Sequence, residues 1–225
     1  MSVLQPDSPG KKLTRDWQDR DHQHYIHPFT DHKDLGKKGT RIITDARGVY
    51  IRDSEGNEIL DGMAGLWCVN LGYGRQELVD AATRQMQQLP YYNSFFQTAH
   101  PPAIELSAML GEISPPQFNH AFFTGSGSEA NDTVLKLVRR YWDLQGKTDK
   151  KIIVSRKNSY HGSTIAASSL GGMGEMHKQT GAYLIPGIEH IEQPYYFELG
   201  GDLSEDAFGL QQAQLLEQKI LQVGA

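Results

Sequence analysis

Cysteine is almost missing: Cys68 stands alone in 225 residues. No internal disulfide can form, and a reducing cytoplasm suits such a chain. No run approaches the roughly 20 consecutive apolar residues of a membrane-spanning helix, and the opening residues, Met1 to Asp7, lack a basic stretch leading into an apolar one. Neither export nor a membrane is therefore expected. Lysine and arginine form no block, and the net charge of −5 is spread over both signs, so nucleic acid is not an expected partner. Apolar residues are scarce too, at 38% with a mean hydropathy of −0.51. That shortage points to much exposed surface or to surface meant for another chain. His22, His24, His27 and His32 lie close in sequence, but their spacings match no zinc signature and no cysteine accompanies them, so no metal is assigned.

What is present falls into two styles of sequence. Thr14 is expected to cap a helix through His24, which His27-Pro28-Phe29 ends. Residues 41–44, 48–52 and 58–61 read as short strands of an antiparallel meander, with turns at Asp45-Ala46-Arg47-Gly48 and Ser54-Glu55-Gly56-Asn57. Gly62 to Trp67 is a glycine-spaced loop. From Gln76 onward helices dominate: 76–89, then one opened by Pro101-Pro102 and closed by Pro115-Pro116, then one from about Ser128 to Leu144. Strands are expected at 120–123 and 151–154, a small-residue helix at 164–170 and a last helix at 204–221. Strand and helix alternating at this spacing predict an α/β unit with a mostly parallel sheet flanked by helices. Two strands make an unfinished sheet, so the chain reads as half of something.

The run Phe122-Phe123-Thr124-Gly125-Ser126-Gly127-Ser128-Glu129-Ala130-Asn131 has the form of an anion cradle. Glycines allow close backbone approach, the hydroxyls of Ser126 and Ser128 can donate, and the first N–H groups of the following helix face outward. A tight turn before a serine-capped helix would account for the same letters. Gly125-x-Gly127-x-x-Ala130 also meets the loose dinucleotide pattern, but the acidic residue expected about 20 residues on is replaced by Ser155-Arg156. An NADP-dependent reductase therefore stays open, as does a non-catalytic binding module. After the second strand comes Tyr160-His161-Gly162-Ser163, at the carboxyl edge where parallel sheets hold ligands. An aromatic face beside a phosphate cradle suits a phosphorylated planar heterocycle, which favours pyridoxal phosphate over a dinucleotide.

These motifs, together with Phe29-Thr30-Asp31, the stretch Leu60 to Cys68, Gly72-Tyr73-Gly74-Arg75 and Tyr92-Asn93-Ser94-Phe95-Phe96, resemble the class III aminotransferases, in their omega-amino acid or amine:pyruvate branch. The resemblance implies the fold type I of pyridoxal-phosphate enzymes, here its N-terminal half: residues 1–75 as arm, helix and meander of the small domain, and 76–225 as the first half of the large cofactor-binding domain. It implies that Ser126, Gly127 and Ser128 hold the phosphate and that Tyr160, with His161 beside it, covers the ring. Phe29, Trp67 and Phe95 would line the amine pocket, with Phe95 reaching a neighbouring subunit's site. The partners implied are a small-molecule amine donor, pyruvate, a second copy in a homodimer, and a C-terminal half as same or separate polypeptide. None of the twelve lysines has the context of the family's Schiff-base lysine, so no catalytic residue is expected in these 225 residues. Lys136 and Lys147 are expected to face water.

Overall fold

The computed structural model describes residues 14–181 and 184–224. The expected loose arm at residues 1–13 lies outside the described residues. The chain divides into two compact units between Ala103 and Ile104, and each is described by itself.

The first unit begins with α1 (Thr14–His24) and α2 (His32–Lys38). Thr14 is already the first helical residue, and its hydroxyl donates to Ser54 Oγ at 2.8 Å rather than capping the helix. α2 was not expected, because Leu35 is its only large apolar residue and no hydrophobic period marks it. Its ends carry the signal. Asp31 caps it by accepting from Lys33 N and Asp34 N at 2.9 and 3.2 Å, and Gly39, at φ 75°, stops it with a bond from its N–H to Leu35 O. Asp21 ties the two helices to the connecting chain: it accepts from Thr40 Oγ1 and faces His27 Nε2 at 2.8 Å.

The meander is present as β1 (Ile43–Arg47), β2 (Tyr50–Asp53) and β3 (Glu58–Leu60), antiparallel in that order. Ile51 pairs with Ala46 on one side and Ile59 on the other. The turn from β2 to β3 is built around the buried Asp53 carboxylate, which accepts from Glu55 N, Asn57 N and Asn57 Nδ2. Gly62 to Trp67 does not stay irregular: Ala64–Trp67 forms α3, a short turn of opposite hand to the other helices. α4 (Gln76–Gln88) follows as expected.

α5 (Pro101–Ile113) leads into the second unit, which holds α6 (Gly127–Leu144), β4 (Ile153–Arg156), α7 (Ile165–Leu170), α8 (Gly174–Thr180), β5 (Ile188–Ile191), α9 (Tyr196–Leu199) and α10 (Glu205–Val223). β4 and β5 pair in parallel, Ile153 opposite Ile188 through Arg156 opposite Ile191. The parallel sheet is thus real, but its strands are not the pair expected. Residues 120–123 form no strand, and among the described residues no strand lies beside them; a strand persists only through a ladder with a neighbour, and Phe122 is left 74% exposed. Its place is taken by β5, which the periodicity did not reveal.

The core of this unit is small. It consists of the buried face of α7 (Ala166, Ala167, Ser168, Ser169) with Leu135 of α6, Ile191 of β5 and Phe208 of α10. Small side chains at 166–169 let α7 approach its neighbours closely, and the buried Ser169 hydroxyl donates to Ile165 O and accepts from Ile185 N. His177 and His190 both bring Nε2 to the Gly171 carbonyl, at 2.7 and 2.8 Å, which fixes the exit of α7 between α8 and β5.

Candidate functional site

Ser126 has extended backbone and caps α6, its Oγ accepting from Glu129 N at 3.2 Å. Glu129 returns the favour one residue earlier than the standard capping box, accepting from Gly125 N at 2.7 Å. Two of the loose donors at the helix entrance are thereby satisfied. The N–H groups of Gly127 and Ser128 stand at positions without acceptors inside the helix. A Cβ added at Gly127 would meet nothing within 4 Å, so space is open in front of it. An anion arriving there meets two backbone donors and the positive end of an 18-residue helix.

The loop carrying Tyr160 is fastened onto the same turn of α6. Ser163 N donates to Ser128 Oγ at 3.1 Å, Asn131 Nδ2 donates to the His161 carbonyl at 2.6 Å, and Thr164 Oγ1 donates to Asp132 Oδ2. Gly162 is buried between them at φ 131°, where a Cβ would fall 2.4 Å from Ser128 Oγ and 2.7 Å from Ala167 Cβ. Only glycine permits this contact. Ser128 spends one lone pair on Ser163 N–H and keeps its own proton to give. Tyr160 stands two residues from the contact, with its ring more than half exposed. Lys136 and Lys147 are exposed, as expected. Beside the cradle opens a depression of about 380 Å³ bordered by Phe123, Gly125, Glu129, Lys136 and Thr164. The donor set fits a phosphate monoester. The cradle residues Ser126, Gly127 and Ser128 carry no amine side chain; the exposed Lys136 borders the neighbouring depression.

The structure therefore brings Ser126, Gly127 and Ser128 together with the 160–163 loop. The sequence reading did not foresee that Asn131, Asp132, Gly162 and Thr164 join the two loops. Asn131 and Asp132 follow the capping pair by less than one turn, but no spacing rule links them to a loop thirty residues on.

Phe29, Trp67 and Phe95 belong to the first unit, and all three rings are exposed, at 70%, 80% and 71%. Their backbones share an oddity. Phe29 has φ 49° and Trp67 φ 66°, and Phe95 is followed by Phe96 and Gln97 at φ 58° and 65°. Side-chain-bearing residues rarely adopt this left-handed region, and where they do, local contacts hold them there. Beneath Trp67 the holder is Asp61, whose carboxylate accepts from Tyr73 Oη, Gly65 N and Met63 N at 2.7, 2.8 and 3.2 Å. The Tyr73 hydroxyl first, then the Gly65 N–H, keep Asp61 below the ordinary carboxylate range, and the same pairing pushes the Tyr73 phenol up. A cleft of about 790 Å³ lies between α1 and α2, bordered by Arg15, His22, His24 and Lys37. Its most firmly held carboxylate, Asp21, is already engaged by Thr40 and His27, so the cleft is a seam between helices.

Comparison with known proteins gives one answer. The model of the aminotransferase class-III family matches residues 35–223. A putrescine–pyruvate aminotransferase of Pseudomonas aeruginosa is 61% identical over 211 residues, covering 94% of this chain and 46% of that protein. A beta-alanine–pyruvate aminotransferase of the same organism is 37% identical over 168 residues, covering 74% of this chain and 37% of the relative. Among solved structures, an (S)-enantioselective omega-transaminase from Thermomicrobium roseum superposes with TM-score 0.89 at 38% identity, over 95% of this chain and 47% of that one. The omega-transaminase of Pseudomonas jessenii, solved in complex with PMP, gives 0.88 at 38% identity, over 92% and 46%. The chain spans about half the length of the relatives it matches. None of these matches supports the reductase alternative. The chain belongs to the class III aminotransferases, a pyridoxal-phosphate-dependent family, and has their α/β fold type I.

Proposed function

We propose that this chain is the phosphate- and ring-binding part of an enzyme that moves an amino group from a primary amine or omega-amino acid to pyruvate, giving alanine and an aldehyde or keto product. The observation that supports the reading is the fastening of the loop after Tyr160 to the entrance of α6 through Ser128, Asn131 and Asp132, which brings the backbone of that loop to the cradle residues. The names of the Pseudomonas aeruginosa relatives, putrescine–pyruvate and beta-alanine–pyruvate aminotransferase, support the choice of acceptor and donor class. In this reading residues 1–75 belong to the small domain and 76–225 to the first half of the cofactor domain. The working enzyme is a cytoplasmic homodimer, and its Schiff-base lysine comes from a C-terminal half, as same or separate polypeptide.

When bound, pyridoxal phosphate supplies the electron-withdrawing ring that stores and returns the amino group. Gly127 N, Ser128 N and the Ser126 and Ser128 hydroxyls would hold its phosphate, and Tyr160, with His161 beside it, would cover the ring and exclude water. Phe29, Trp67 and Phe95 present apolar surface to the carbon chain of the amine; they carry no charge, so they select by shape.

Two measurements test this. The 225-residue chain treated with pyridoxal phosphate and borohydride should give no stoichiometric lysine adduct by mass spectrometry; such an adduct would move the catalytic lysine into this chain. Assembled with a polypeptide supplying the remainder of its relatives' length, it should form alanine from pyruvate with putrescine or beta-alanine as donor. A cofactor-loaded assembly that makes no alanine from any primary amine or omega-amino acid refutes the assignment.

A further inference from the structure

The turn that presents Trp67 has no packing of its own to hold it. Ala64, Gly65, Leu66 and Trp67 have φ of 48°, 58°, 59° and 66°, and the bonds from Trp67 N to Met63 O and from Cys68 N to Ala64 O close a left-handed turn. Three of these four residues carry side chains that disfavour this hand. Burial does not compensate, since Leu66 is 63% exposed and Trp67 more so. Asp61 supplies what packing does not. Its carboxylate gathers Met63 N and Gly65 N, the donors leading into the turn, and Tyr73 Oη holds the carboxylate from the other side.

Tyr73 is itself anchored to the meander. Its N–H donates to Gly48 O at 2.8 Å and its carbonyl accepts from Gly48 N at 3.1 Å, an isolated bridge at the turn between β1 and β2. Gly72, at φ 83°, makes that approach possible: a Cβ there would lie 2.9 Å from Gly48 O. Gly65 has no room for a Cβ either, with Tyr73 Oη 3.1 Å and Val69 Cγ2 2.8 Å away. A continuous path therefore runs from the sheet through Tyr73 and Asp61 to the backbone of Trp67.

We infer that Asp61 and Tyr73 are positioning residues, which hold the left-handed turn and thereby set where the Trp67 ring stands in the amine pocket. The pocket part rests on the reading of Trp67 given above; the turn part does not.

The test uses the full chain with Trp17 and Trp142 replaced by Phe, so that fluorescence reports on Trp67, and compares Tyr73→Phe and Asp61→Asn with that parent. Loss of a hydrogen bond to a charged group should speed exchange of the Gly65 amide by about tenfold or more and change the acrylamide quenching of Trp67. The amide of Asp53, bonded to Asn57 O inside the meander, is the internal reference and should stay put. Unchanged Gly65 exchange and Trp67 quenching in both variants would overturn the inference. So would equal loss of protection at Asp53, which would make the pair a general stabiliser. In the assembled enzyme Tyr73→Phe should raise KM for a bulky amine severalfold with little change in kcat. If Trp67→Leu leaves KM of every donor unchanged, the pocket reading fails while the turn result stands. If Trp67→Leu alters KM but Tyr73→Phe alters neither exchange nor quenching, the positioning inference alone fails.

Discussion

Replacing Gly162 by alanine probes the contact on which the proposed cofactor site depends. The new Cβ would sit 2.4 Å from Ser128 Oγ, 2.7 Å from Ala167 Cβ and 2.9 Å from Ser128 Cα. The hydroxyl can rotate aside; the other two cannot, because Ala167 is completely buried and Ser128 Cα is helix backbone. Overpacking of this kind costs about 1–3 kcal/mol, and an L-residue at φ 131° adds roughly 1–3 kcal/mol of backbone strain. The sum, about 2–6 kcal/mol, rivals the stability of a small domain, which is about 5–15 kcal/mol. The less costly response is for the 160–163 loop to lift from α6 while the rest stays folded. Amide exchange should then rise at Ser163, whose partner is Ser128 Oγ, and pyridoxal phosphate affinity of the assembled enzyme should fall by at least about tenfold, since 1.4 kcal/mol is one decade. Gly174→Ala is the control, because a Cβ there meets nothing within 4 Å. A Gly162→Ala protein that matches wild type in Ser163 exchange, urea midpoint and cofactor affinity would refute the seating of this loop and the site built on it.

Ser126→Ala removes the cap on Glu129 N and should lower stability by about 1 kcal/mol, read as a lower urea midpoint; Ser126→Gly should cost only a few tenths. Gly209→Ala lies inside α10 with open space around it and no positive φ, so it should raise stability by about 0.5–1 kcal/mol, and a lower midpoint would contradict the helix. Asp21 is held below its ordinary value of 3.8, by the Thr40 hydroxyl first and by His27 next. Between the lowered and the ordinary value the unfolded chain binds the proton more readily, so this contribution is complete above the ordinary value and disappears as pH falls through the lowered one. Acid titration followed by Trp17 in α1 should therefore show a limb that Asp21→Asn flattens; identical limbs in the two proteins would contradict it.

How much of this was legible depends on what kind of signal each element carries. α4 and α5 announce themselves through proline or through an apolar stripe, so their bounds came close; the meander was legible as three strands, but Asp45, Ala46 and Arg47, expected in a turn, belong to β1 and pair with Arg52, Ile51 and Tyr50. α2 has no stripe to read. β5 is four residues long, Ile-Glu-His-Ile, too short for any period to stand out, and α8 and α9 are similarly brief. Residues 120–123 failed in the opposite sense. Their composition suits a strand, but composition cannot supply a neighbour, and β4 and β5 bond to each other. The same division applies to the site. Ser126, Gly127 and Ser128 form a contiguous motif, and the serine-capped helix entrance they build could be read directly. The residues that attach the second loop to the first are scattered over positions 131, 132, 162 and 164, and only the fold makes them adjacent.

The aromatics show where sequence rules mislead by being right on average. Positive φ is the province of glycine and asparagine, so nothing in the letters suggests it for Phe29, Trp67 or Phe96. Each such residue costs about 1–2 kcal/mol, and each has a short polar side chain nearby that grips local backbone. Thr30 Oγ1 donates to Pro28 O, Asp61 gathers the turn before Trp67, and Asn93 and Thr98 bracket Phe95, with Asn93 Oδ1 accepting from Phe95 N and Thr98 Oγ1 donating to Phe95 O. These bonds fix the backbone and leave the rings outside the core. Truncating an exposed ring therefore removes little burial from this chain, while relaxing its backbone removes strain. Stability within the chain gives no reason for large aromatics on strained turns at all three places; the proposed apolar wall for an amine would supply one.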